Sequence, residues 1–93
     1  MQTPAPMPID LDQLVAPIEN AKTWRGAAPA MKRAIRQAVT IPGQTGYDVM
    51  AAIDAVAWAA GITQITRQLA FNDAGVSYQV IPNALAGGRL TLR

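Results

Sequence analysis

The sequence predicts an α+β fold in which two packed helices precede a small antiparallel sheet, with an extended N-terminal arm in front. Three observations lead there. Apolar residues recur at helical spacing through residues 27–40 and again through residues 46–60. Residues 76–81 and 89–93 instead alternate apolar and polar side chains, as half-buried strands do. A lone two-stranded hairpin is marginal in water, so the pair calls for a third strand, which residues 62–71 can supply.

Residues 1–8 (MQTPAPMP) alternate proline with small side chains and read as extended and mobile. With the acids that follow they define an arm over residues 1–20, ahead of a single small α+β domain over residues 21–93. Within the arm, Asp10 and Gln13 have capping-box spacing, and Leu11, Leu14 and Val15 can line one side of a short helix that Pro17 ends. Residues 8–18 (PIDLDQLVAPI) resemble the opening of the ImpA-like proteins of type VI secretion. The glycine- and acid-rich motif that follows in that family is missing here, and no family is assigned on the resemblance.

In the first main helix Pro29 lies early, and Met31, Ile35, Ala38 and Val39 form one apolar face while Lys32, Arg33 and Arg36 project from another. Ile41-Pro42-Gly43 stops it. Thr45 and Asp48 read as the cap of the second helix, whose core stripe is Met50, Ile53, Ala57 and Trp58. Ala51, Ala55 and Ala59 make a smooth strip for close packing, and Gly61 with Ile62 reads as a left-handed C-terminal cap. Residues 62–71 then fork. Trp58, Ile62, Ile65 and Leu69 keep helical spacing, whereas Ile65, Leu69 and Phe71 also alternate with polar neighbours, with Arg67 out of place on the apolar side. The fallback is a helical hairpin whose second helix runs to about Asn72, followed by a β-hairpin whose strands are joined by residues 82–88.

The chain contains no histidine and no cysteine. It therefore has no side chain with an ordinary pKa near neutrality, no thiolate nucleophile, no imidazole or thiolate metal ligand and no disulfide. Ser77 is the one serine and has no base in view; no carboxylate dyad and no phosphate-cradling glycine loop is present. The expectation is a non-enzymatic protein with no cofactor, no metal and no small-molecule substrate. Asp54 stands out inside the most apolar helix, and pairing with Arg67 or an edge position open to solvent would account for it. The longest apolar stretch, residues 49–62, is too short to span a bilayer, and no apolar run follows a leading cation as in a secretory signal. A cytoplasmic location, or one within a macromolecular assembly, is expected.

Of 93 residues, alanine is the most frequent type, so little bulk is available for a core and burial shared with another chain would complete it. Charge is segregated. Residues 1–20 hold Asp10, Asp12 and Glu19 without a cation, and residues 21–40 hold Lys22, Arg25, Lys32, Arg33 and Arg36 without an acid. The leading expectation is a non-catalytic subunit of a larger assembly, such as a virion or secretion apparatus, or a small adaptor or inhibitor, working through protein contacts or self-association. The alternative is nucleic-acid binding by the basic helix face, where Lys22, Arg25, Lys32, Arg33 and Arg36 supply charge and Trp24 one stacking ring. Trp24 follows no core periodicity; a place in the core under the N-terminal arm is its competing assignment.

Overall fold

A computed structural model describes residues 10–81, and every regular element within them is helical. The Asp10 carboxylate accepts a hydrogen bond from the Asp12 N–H at 3.0 Å and opens α1, Leu11–Glu19. Pro17 lies inside this helix, on its solvent side, where the missing N–H strands no buried carbonyl. Thr23 opens α2, Trp24–Ala38, by accepting from the Gly26 N–H at 3.3 Å. Helix α3, Gly43–Ala59, follows Pro42 and has no side-chain cap, so Thr45 sits within the helix instead of starting it.

Two glycine turns then set the path of the chain. Gly61 (φ +92°) closes α3, with its N–H donating to the Trp58 carbonyl and that of Ile62 to the Ala57 carbonyl at 2.9 and 3.1 Å. Thr63 starts α4, Gln64–Asp73, and Gly75 (φ +82°) closes it by the same pair of bonds, to Asn72 and Phe71. Tyr78–Val80 is a single 3-10 turn.

No sheet is formed among the described residues, which corrects the α+β expectation. Residues 62–71 are not a strand, because the Thr63 cap and the Gly75 closure bracket a helix in which Arg67, Ala70 and Phe71 face inward. The helical fork was right in kind, although the Gly61 turn makes α4 a separate helix. Residues 76–81 bury Tyr78 and Ile81, three apart, in place of alternate positions. The strand expected at 89–93, its connection at 82–88 and the arm tip at 1–8 lie outside the described residues. Helix α1 is the short helix expected within the arm, although Pro17 does not end it, so the arm over residues 1–20 is not extended throughout. Leu14, Val15 and Ile18 are buried with residues of the other helices in one cluster, so the core begins before residue 21.

Helix α2 packs against α1, α3 and α4 and is the hub of the bundle. Its inward face is Ala27, Ala30, Met31, Ala34, Ile35 and Ala38, while Val39 is half-exposed. Helix α3 is buried without a break from Val49 to Ala57, so Ala51 and Ala55 are covered by the chain itself and only Ala59 is exposed. Gly46 is buried at the α2–α3 corner, and a Cβ there would collide with the Ile41 carbonyl oxygen. Gly46→Ala is therefore expected to destabilise the fold by roughly 1–3 kcal/mol. Thr63→Ala should cost about 1 kcal/mol through loss of the cap. Urea titrations followed by circular dichroism measure both, and an unchanged midpoint for Gly46→Ala would show that the corner opens freely.

Candidate functional site

Three features carry chemistry: a buried polar network, an open groove of mixed polar and apolar lining, and a cationic helix face. The network joins three elements. Helix α3 supplies Asp54, α4 supplies Arg67 and the 3-10 turn supplies Tyr78. Arg67 Nε and the Tyr78 hydroxyl each donate to Asp54 Oδ1 at 2.9 Å, and Arg67 Nη1 donates to the Ile62 carbonyl at 2.6 Å. Both charged side chains are 2% exposed. Arg67 also lies 5.6 Å from the centroid of the Trp58 ring, and the Phe71 and Tyr78 rings meet at 5.8 Å.

Burial pushes the Asp54 pKa above its ordinary value of 3.8, with the Tyr78 hydrogen bond and then the Arg67 charge pulling the other way. Burial, followed by the hydrogen bond to Asp54, also raises Tyr78 above its ordinary 10.0. Every buried side-chain nitrogen and oxygen among the described residues has a partner. The network is closed on itself. Asp54 Oδ1 is already committed to two donors, and the carboxylate lies beneath Arg67 instead of lining the open recess of about 310 Å³ beside Trp58 and Gly61. Of the two placements the sequence allows for Asp54, an arginine partner or solvent, the structure takes Arg67; the second donor, Tyr78, has no signal in the sequence.

The groove occupies the other side of the Gly75 turn. It is open to solvent, about 400 Å³ in volume, and lies between the α2–α3 corner and residues 74–80. Val39, Ile41, Tyr47, Met50, Val76 and Val80 line it. Three of these are large apolar side chains left in contact with water, Val39 at 38%, Tyr47 at 39% and Val80 at 50% exposure. No sequence signal singled them out, because the groove exists only once residues 74–80 turn back toward the corner.

All six residues of the basic constellation, Lys22, Trp24, Arg25, Lys32, Arg33 and Arg36, are exposed. Helical geometry places Arg25, Lys32 and Arg36 on one stripe opposite the buried face of α2, with Arg33 at its shoulder and Lys22 just ahead of the helix. Lys32 makes a loose pair with Asp73 at 3.9 Å. Among the described residues no carboxylate lies within 4.0 Å of Lys22, Arg25, Arg33 or Arg36, so Asp10, Asp12 and Glu19 do not neutralise the stripe by direct pairing. Trp24 is 46% exposed, outside the core, with the Arg25 guanidinium 5.4 Å from its ring centroid.

Among the described residues there is no cluster of three potential metal-ligating side chains and no helix long and apolar enough to cross a membrane. Comparison with protein-family models, curated proteins and solved structures finds no match.

Removing one member of the buried pair leaves the other without its counter-ion. Asp54→Ala is expected to cost roughly 3–5 kcal/mol, whereas the double change Asp54→Leu with Arg67→Met should recover most of that loss. Denaturant unfolding of the three proteins checks this. A single variant within 1 kcal/mol of the parent would place the pair in contact with solvent.

Proposed function

We propose that this chain is a non-catalytic interaction subunit that docks an apolar segment of a partner protein in the groove bounded by residues 41–43 and 74–80. One observation carries the reading: Val39, Tyr47 and Val80, all in contact with water, converge on the same groove. Scattered exposed apolar residues are ordinary on a folded surface, but several sharing one concavity are characteristic of a binding site. Tyr47 is suited to an anchoring contact, since its ring supplies apolar area and its hydroxyl a polar edge.

The buried polar groups support a non-catalytic role. Asp54 and Arg67 are used up on each other and on Tyr78, and among the described residues no acidic or basic side chain lines the groove. The alanine strip on α3 gives no support to docking, because its own chain covers Ala51 and Ala55. The groove replaces it as the basis for the interaction reading. A cytoplasmic setting or a place in a macromolecular assembly suits such a subunit.

A photo-crosslinking side chain at Tyr47, in the full chain expressed in its native host, is expected to yield one dominant protein adduct whose mass identifies the partner. An adduct of twice the chain's mass would make the partner a second copy. Val80→Asp should abolish the adduct while leaving helical circular dichroism intact, and Tyr47→Ala should weaken affinity for the identified partner roughly 10- to 30-fold. Adducts that persist with Val80→Asp, or a labelled protein that stays free, would reject the groove as the docking site.

A further inference from the structure

The cationic stripe of α2 shares no residue with the groove, and neither the fold nor the docking reading accounts for it. Along the helix axis Arg25 and Lys32 are about 10 Å apart and Lys32 and Arg36 about 6 Å apart, giving a straight row of charge about 16 Å long. Three properties of this row decide what it fits. Its cations are nearly free of carboxylates among the described residues, the loose Lys32–Asp73 pair being the exception. Between the cations the exposed positions are Gly26 and Pro29, so no large apolar side chain interrupts the row. At its N-terminal end stands the half-exposed Trp24.

An acidic protein partner would find no dry apolar centre here, and protein interfaces draw most of their affinity from such centres. A phosphate backbone needs none, because its affinity comes from release of condensed counterions by neutralising cations. Trp24 then chooses between the two forms of nucleic acid. A duplex keeps its base faces stacked inside, whereas a single strand presents them to an aromatic ring beside a cationic track. We infer that the outer face of α2 binds single-stranded nucleic acid, with Arg25, Lys32, Arg33 and Arg36 tracking its phosphates and Trp24 stacking on one base. Phosphate contacts and stacking carry no sequence information, so the binding is indifferent to sequence.

Asp73 is the residue that opposes it. Its carboxylate sits 3.9 Å from Lys32 Nζ and competes with a phosphate for that ammonium. Asp73→Asn should therefore tighten binding, a change that a merely solvated helix face would not produce.

The test is fluorescence anisotropy of the full chain with a labelled twenty-nucleotide oligothymidylate, a duplex of the same length, and polyglutamate as competitor. With three or four phosphates neutralised, the single-strand affinity is expected to fall roughly 20- to 50-fold between 50 and 200 mM salt. Arg33→Glu with Arg36→Glu should abolish binding while the helical circular dichroism holds. Trp24→Ala should weaken the single strand about tenfold or more without changing the salt slope. Asp73→Asn should strengthen it two- to threefold. Absence of binding at low salt overturns the inference. So does a duplex bound as tightly as the single strand with Trp24→Ala indifferent, and so does equal competition by polyglutamate, which would assign the stripe to an acidic protein.

Discussion

The buried contact of Arg67 with Asp54, closed by Tyr78, is the constraint on which the C-terminal half of the fold depends. It fixes α4 against α3 at one register, since Arg67 reaches Asp54 Oδ1 and the Ile62 carbonyl at once. It also draws the 3-10 turn onto the bundle, because Tyr78 has its hydroxyl on the same oxygen. Such a pair adds little net stability beside a well-packed apolar substitute, as desolvation consumes most of the Coulomb gain. Its contribution is specificity. A ten-residue helix whose buried face consists of Arg67, Ala70 and Phe71 offers few distinctive shapes to a neighbour, and the ion pair supplies the missing discrimination.

The first half of the chain works by a different rule. Alanines at 27, 30, 34 and 38 on α2 and at 51, 52, 55 and 57 on α3 share the buried faces with Met31, Ile35, Met50 and Ile53, and Gly46 is pressed on the Ile41 carbonyl. Backbones that approach this closely gain dispersion contacts but bury little area per residue. Val39, Tyr47, Trp58, Ile65, Leu69 and Val80 remain in contact with water, and Val39, Tyr47 and Val80 gather in the groove.

What could be read in advance follows the same division. The Gly61 closure was legible because a glycine followed by a buried isoleucine at the end of an apolar period specifies one local geometry, and that geometry is found. The two inward faces of α2 and α3 were legible in the main, since Met31, Ile35, Ala38, Met50, Ile53 and Ala57 are all buried. The sheet was misread because short windows satisfy both periods: Ile65, Leu69 and Phe71 alternate with polar residues, yet only Phe71 is buried and the other two face solvent. The informative anomaly was Arg67 on the apolar side. As the buried partner of Asp54, thirteen residues away, Arg67 requires a helix, because residues 67, 70 and 71 then share one inward face. The caps at Thr23 and Thr63 were overlooked because neither has the acid or glutamine three residues on that marks a capping box.

The charge on α2 has no such internal explanation. Lys32 and Arg36 repel each other across one turn, at a cost of roughly 0.2–0.5 kcal/mol. Arg25 sits in the first turn, where the helix dipole disfavours a cation, and that turn has no acid to offset it. Only Arg36, in the last turn, is placed where the dipole welcomes it. The acids of the N-terminal region are near at hand on α1, which packs directly on α2 through Leu14, Val15 and Ile18, yet none pairs with it. A helix arranged for its own stability would interleave these charges. Here the apolar faces of α1 and α2 meet while their opposite charges stay apart, so the stripe is held outward at a small cost to the helix that bears it. Among the described residues this charge is engaged only by the loose Lys32–Asp73 pair and the contact of Arg25 with the Trp24 ring, which is why we assign the rest to a ligand.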